Sequence, residues 1–222
     1  MRPAAAGDGA ARQLESRPHS CGARNLMSTR VIAGTAKGRR LKLVPGDTTR
    51  PIMDRVKEAL FSILSRRIHD AQVLDLFAGT GAVGIEALSR GAAHCIFVDL
   101  ERRAIDTIRD NLRTTGLAGR ADVRRANAFQ VLNGPVTPCD VIYIAPPQYH
   151  TLWADALRAL DTTPQWLAPA GVIVVQIDPK ERTPIALNHF SPYDERRYGS
   201  TLLWFFQHTA EAAPDNTEDP PA

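Results

Sequence analysis

A chain of 222 residues, 44% hydrophobic and 23% charged, has ordinary globular composition and enough apolar side chain for one sizeable core. No apolar run approaches the roughly 20 residues of a membrane span. Cys21, Cys95 and Cys139 stand too far apart for a metal pair or a disulfide framework, which favours a reducing cytoplasmic setting, and the six scattered histidines suggest no metal site. The net charge of +3 conceals an asymmetry: between Arg30 and Arg67 stand ten Lys/Arg against three acids. Such clustering suits a polyanion such as nucleic acid, although a solvated hairpin and helix face would carry the same charge.

Residues 1–27, rich in Ala, Gly, Arg and Ser, show no hydrophobic period and read as a disordered extension. They lack the apolar segment of a secretory signal, resemble a transit peptide only faintly, and leave Met27 as an alternative start. A single domain is expected over 28–208, followed by a disordered acidic tail over 209–222. Within the domain, RVIAGTAKGRRLKLV over 30–44 reads as two short strands around a Gly/Lys turn. Pro51 then suits a helix entry, and Val56, Leu60, Ile63 and Leu64 share one face of a helix reaching about Arg67.

From there strands and helices alternate. Strands are expected at 72–77, 94–99, 121–126, 140–144 and 171–177, with helices between them, one ending near Arg90, one over 101–114, and one carrying Trp153, Leu157 and Leu160 as core contacts. Two last strands, around Tyr193 and over 201–207, form a hairpin turning at Gly199, with Tyr193 and Trp204–Phe206 buried against the sheet. Near-continuous apolar strands alternating with helices imply an α/β fold: a doubly wound, mostly parallel, seven-stranded sheet with a C-terminal antiparallel hairpin.

Gly79-Thr80-Gly81-Ala82-Val83-Gly84 fits G-x-G-x-x-G between a strand and a helix, where glycines let a nucleotide-derived ligand approach the backbone. Asp75, four residues before the first glycine, discriminates among such ligands. It would repel a pyrophosphate but attract the ammonium and sulfonium of S-adenosylmethionine; the bland alternative is a helix cap. Asp99, ending the next strand, is placed to accept hydrogen bonds from both ribose hydroxyls. Asn127 and Ala128, after the third strand, are placed to meet the adenine edge, although an asparagine there also suits a turn.

The runs LDLFAGTGAVGIEALSRGA, TRPIMDRVKEALFSIL and RVIAGTAKGRRLKL, with a late YGSTL over Tyr198–Leu202, resemble the RsmD family of 16S rRNA guanine-N2 methyltransferases over about residues 29–207. The resemblance implies a Rossmann-like class I methyltransferase with S-adenosylmethionine as sole cofactor. Its target would be the exocyclic amine of one guanine in 16S rRNA, within a partly assembled small ribosomal subunit; a monomer is the default. Carried over to this sequence, Asp75, Phe77, Gly79 and Gly81 would line the methionine part, Asp99 would hold the ribose, and Asn127 and Ala128 would face the adenine. Lys37, Arg39, Arg40, Lys42, Arg50 and Arg55 are the candidates for holding the RNA backbone.

The departure lies in the catalytic loop. The family pattern there is Asp/Asn-Pro-Pro-Phe/Tyr, whereas this chain has Ala145-Pro146-Pro147-Gln148, followed by Tyr149. In the family pattern a side-chain oxygen and the first proline carbonyl accept hydrogen bonds from the target amine and aim its lone pair, while the aromatic ring stacks on the base. Here the Pro146 carbonyl remains, Gln148 offers an amide oxygen, and Tyr149 offers a stacking face one position late. A methylated amine releases its proton readily to water, so His150 is not required as a base. The alternatives are a weakly active or non-catalytic rRNA-binding assembly factor and an amino-methyltransferase acting on another nucleic acid.

Overall fold

The computed structural model describes residues 29–46, 52–148 and 150–209. The disordered extension expected over 1–27 lies outside them, as does the acidic tail beyond Thr209, whose N–H still bonds the His189 carbonyl at 2.8 Å.

Strands β1 (Thr29–Arg30) and β2 (Arg40–Leu41) open the chain, followed by helices α1 (Asp54–Ile63) and α2 (Ser65–Ile68). Then come β3 (Gln72–Asp75), α3 (Ala82–Ser89), β4 (His94–Asp99), α4 (Arg102–Thr115), β5 (Ala121–Arg125), α5 (Ala128–Leu132) and β6 (Cys139–Ile144). Helix α6 (Leu152–Thr162) leads to β7 (Leu167–Ile177), β8 (Phe190–Tyr198) and β9 (Thr201–His208). The large sheet has seven strands in the order β5-β4-β3-β6-β7-β9-β8, parallel up to β7 and antiparallel beyond it, as the sequence pattern implies.

Both faces of this sheet are covered, which is why its inner strands are apolar without alternation. Side chains of period two part to the two faces. Val73, Phe97, Val141, Val174 and Phe205 pack with residues of α1, α3 and α4. Leu74, Ile96, Ile142, Val175, Trp204 and Phe206 pack with Trp153, Leu157 and Leu160 of α6. The expected core roles of α6 and of Trp204–Phe206 therefore hold.

Three expectations need correction. Strand β3 ends at Asp75, so Leu76 and Phe77 belong to the following loop. The first helix opens at Asp54 with Met53 as N-cap, later than a Pro51 entry implies, and it breaks at Leu64, which ends α1 and opens α2. Tyr193 is not buried but 40% exposed. The pairing of β8 with β9 shifts register between Pro192 and Asp194, so Tyr193 occupies a bulge on an edge strand and leans on one side of Phe205.

The basic hairpin expected over 30–44 is present as two short antiparallel strands pairing Thr29–Leu41 and Arg30–Arg40. Residues 31–39 connect them as a loop laid on α3, closed by Val31 N–H on the Arg39 carbonyl at 2.9 Å and Gly38 N–H on the Val31 carbonyl at 2.8 Å. Buried backbone groups need partners, and here α3 supplies them. The fully buried Glu86 carboxylate accepts from Ile32 N–H at 2.7 Å and Ala33 N–H at 2.9 Å. Ser89 donates its hydroxyl to the Ala33 carbonyl at 2.6 Å and accepts from Ala36 N–H at 2.9 Å. The Lys57 ammonium, buried on α1, lies 3.5 Å from Glu86 and donates to the Arg30 carbonyl.

Candidate active site

Chain order places the crevice. From β3 the chain moves through β4 to β5, then returns to add β6 on the other side of β3, so the strand order reverses between β3 and β6. Ligands of open α/β sheets bind outside the carboxyl ends of strands at such a point. The loop 76–81 after β3 and the loop after β6 both emerge there.

The glycine loop turns into α3 at Gly81, its N-cap, with φ +75°. Gly84 is required by close packing, because a Cβ there would lie 2.3 Å from the Phe97 ring and 2.6 Å from the Cys95 sulfur. Gly79 is the opposite case: a Cβ at this position would meet nothing within 4 Å, so the loop presents open backbone to a ligand.

Asp75 stands at the base of this loop and is 1% exposed. Its Oδ2 accepts from Gly84 N–H at 3.1 Å, while its buried Oδ1 has no hydrogen-bond partner. Burial pushes its pKa up to about 7, the Gly84 N–H opposes that shift, and the nearby Asp99 charge adds to it. A buried carboxylate oxygen without a donor is rare in native proteins; it fits the ammonium of a ligand lying on the loop. Asp99 ends β4 with Oδ2 accepting from Gly79 N–H at 2.8 Å and Oδ1 from Glu101 N–H at 2.9 Å. A carboxylate oxygen accepts more than one hydrogen bond, so this anchoring fixes Asp99 at the rim and is compatible with ribose binding.

The remaining sequence candidates are placed less uniformly. Phe77 packs against the core face that carries α5 and α6. Asn127 caps α5, its side-chain oxygen accepting from Phe129 N–H at 2.9 Å, so its amide donor is what remains for an adenine edge. Ala128 is buried beside it. In the second loop Ala145 is half-buried, Pro146 buried, and Pro147 and Gln148 exposed; Tyr149 lies outside the described residues.

The basic candidates do not form one free cluster. Lys37, Arg39, Arg40 and Arg55 are exposed, and none has an ion pair among the described residues. Lys42 is bound to Asp110 at 2.8 Å, and Arg50 lies outside the described residues. The strip has a direction. Its Thr35–Ala36 end rests on Ser89 at the end of α3 remote from the glycine loop. Its Lys42 end is bound by Asn111 of α4, which accepts from Lys42 N–H at 2.7 Å and donates to both the Lys42 and the Thr80 carbonyls.

Sequence reading missed Glu86, Ser89, Lys57 and Asn111 as anchors of this strip. It also missed Tyr143 and Gln176, whose side chains meet at 2.5 Å between β6 and β7. The available signal was polarity: Tyr143 and Gln176 interrupt DVIYI and GVIVVQI near the carboxyl ends of otherwise apolar strands. A cavity of about 290 Å³ lined by Gly34, Phe61, Ser65, Ile68 and Arg90 opens at the remote end of α3 and has no part in this crevice. Among the described residues no group of three His, Cys, Asp or Glu could hold a metal, and no helix is long and apolar enough to cross a membrane.

Residues 29–207 match the protein family described as Conserved hypothetical protein 95. YlbH of Bacillus subtilis, named as a candidate rRNA methyltransferase, is 40% identical over 78% of this chain and 95% of its own length. The ribosomal RNA small subunit methyltransferase D of Escherichia coli is 34% identical over 84% of this chain and 93% of its own. The solved structure of yhhF from Escherichia coli, described as a candidate methyltransferase, superposes with a TM-score of 0.73 at 35% identity, covering 83% of this chain and 99% of that one.

Proposed function

Since this chain belongs to the Conserved hypothetical protein 95 family, that of the small subunit methyltransferases D, we propose that it methylates small-subunit rRNA with S-adenosylmethionine as donor, at the exocyclic N2 amine of a guanine. Its substrate is 16S rRNA in a partly assembled small subunit, met in the cytoplasm by a monomer. The observation that carries this reading is Asp75: a buried carboxylate with one unpartnered oxygen beside an open glycine loop. A pyrophosphate would be repelled there, whereas an amino-acid ammonium supplies the missing donor and the opposite charge.

S-adenosylmethionine supplies a methyl group made electrophilic by its sulfonium. The protein contributes position. Asp75 holds the ammonium end, Gly79 gives the ligand room along the backbone, Gly81 lines the methionine part as it turns the loop into α3 with Phe77 at the loop's edge, Asp99 holds the ribose, and Asn127 and Ala128 face the adenine. Beyond β6 the Pro146 carbonyl accepts a hydrogen bond from the target amine, which turns the nitrogen lone pair toward the methyl carbon. Gln148, in the same loop, borders the incoming base, and Tyr149, which lies outside the described residues, is the candidate to stack on it. The target base must leave its stack to reach this loop, and catalysis then rests mainly on proximity and orientation. The nitrogen that has accepted the methyl group loses its proton to water.

Nucleic acid is favoured over protein as substrate by the exposed cations Lys37, Arg39, Arg40 and Arg55, none with an ion pair among the described residues; with the partly neutralised Lys42, and with Arg50 outside the described residues, they are the candidates for holding the RNA. The test uses small subunits from cells lacking this protein, incubated with enzyme and methyl-tritiated S-adenosylmethionine, followed by digestion of the rRNA to nucleosides. Label is expected in N2-methylguanosine. Binding of donor and subunit without incorporation would leave the assembly-factor reading, and label in another nucleoside would overturn the N2 assignment.

A further inference from the structure

Ala145 leaves the second loop without the side-chain acceptor that would help aim an amine, and the fold places a substitute on the neighbouring strand. Strands β6 and β7 are parallel, with Tyr143 opposite Val174 and Ile144 opposite Val175. Ala145 and Gln176 each follow the last registered pair, Ile144–Val175, by one residue, so the start of the second loop leaves the sheet next to Gln176. Tyr143 and Ala145 lie on the same face, packed against the core that α1, α3 and α4 cover. The Gln176 side chain is on that face too, because the Tyr143 hydroxyl donates to its Oε1 at 2.5 Å.

We propose that Gln176 is the side-chain acceptor for the target amine, supplying from β7 the oxygen that Ala145 lacks on β6. The proposal rests on the reading of this chain as an amine methyltransferase. Three observations converge on it. The first is order along the carboxyl edge of the sheet: Asp99 on β4, Asp75 on β3, the Ala145 loop on β6, then Gln176 on β7. The donor-binding acids lie on one side of the loop and Gln176 on the other, which is the side left for a base whose amine approaches the methyl carbon opposite the sulfur.

The second observation is cost. Gln176 follows five buried residues of β7 and is itself only half-buried, so near the carboxyl end of the strand its side chain is not sealed into the core. The third is preorganisation. Tyr143 is buried, and burial holds its hydroxyl protonated, so it acts as a fixed donor to the amide oxygen. An amide oxygen accepts two hydrogen bonds; with one taken by Tyr143, the other is held ready at a set angle. Gln148 offers the same chemistry but is exposed, with no hydrogen-bond partner among the described residues to fix it.

The experiment compares methyl transfer to small subunits by the wild-type protein, Gln176→Met, Tyr143→Phe, Gln148→Ala, and each glutamine variant combined with Ala145→Asn, with calorimetric donor affinity as the control for folding. Gln176→Met is expected to lower kcat about 10–100-fold, the cost of one lost hydrogen bond to the reacting group, with donor affinity unchanged. Tyr143→Phe is expected to lower it less, and Ala145→Asn to restore the Gln176→Met variant to within a few fold of wild type. A wild-type rate for Gln176→Met overturns the assignment, as does rescue by Ala145→Asn of Gln148→Ala but not of Gln176→Met. A wild-type protein that binds donor and subunit but transfers no methyl overturns the amine-methylation reading itself, an outcome distinct from the other two.

Discussion

Asp75 weighs against the stability of the ligand-free fold. Its raised pKa means that the folded state disfavours the ionised carboxyl relative to the unfolded chain. The stability linked to this group is therefore fully present below the ordinary carboxylate range and is lost as pH rises through about 7. The shift corresponds to on the order of 4 kcal/mol. Asp75→Asn should thus stabilise the ligand-free protein increasingly from pH 4 to pH 7.5, as read by the difference in urea unfolding free energy between variant and wild type; a difference independent of pH would contradict the account. Donor binding runs the other way. Only the ionised carboxylate pairs with an ammonium, so calorimetry should find donor affinity weakening about tenfold per pH unit below 7 and weakening again above about 8, where an α-amino group loses its proton. A flat profile from pH 5.5 to 7.5 would remove Asp75 from the ammonium site.

At the scale of elements, the opening segment is attached by side chains of α1 and α3 more than by strand pairing. Glu86 receives two backbone N–H groups, the Arg90 guanidinium at 2.7 Å and the Lys57 ammonium. Burial lowers the Lys57 pKa, and the Glu86 and Asp54 charges oppose that shift. Breaking a buried pair by removing one partner leaves the other charge uncompensated, at a cost of about 3–5 kcal/mol. Glu86→Ala should lose roughly that much stability in urea unfolding and should expose residues 31–39 to proteolysis before the sheet unfolds. An unchanged cleavage rate within 31–39 would show that the loop is held by other contacts. Glu86 lies 54 residues from Ile32, and a glutamate within an apolar helix carries no label naming its partner. Periodicity, by contrast, was sufficient for α4, whose Ile105, Ile108 and Leu112 share the buried face and whose Gly116 ends the helix at φ +75°.

Across the whole molecule, the cations spread along one side of the α3 and α4 layer, from the loop on Ser89 to Lys42 beside the glycine loop. An RNA backbone following this strip would lead a displaced base toward the crevice. Replacing Arg39 and Arg40 by glutamate should weaken subunit binding and make the logarithmic salt dependence of the binding constant shallower by about 1–2, as expected for one or two lost phosphate contacts. Unchanged affinity and slope in filter binding between 50 and 200 mM salt would reduce the strip to a solvated face. The same substitutions should leave donor affinity intact, since Arg39 and Arg40 are exposed at the start of β2, away from the glycine loop in the chain.

The sequence alone determined the strand and helix alternation and the seven-stranded sheet, and it singled out Asp75, the glycine loop and Asp99 as candidates, because these depend on side-chain period and on neighbours only a few residues away. Tertiary structure decided what depends on distant partners. It placed Tyr193 in an edge-strand bulge, gave Asn127 a capping role, bound Lys42 to Asp110, and left Asp75 Oδ1 without a donor. It also joined Tyr143 to Gln176 across β6 and β7, since the register between these strands follows from the packing of whole strands and from no local pattern.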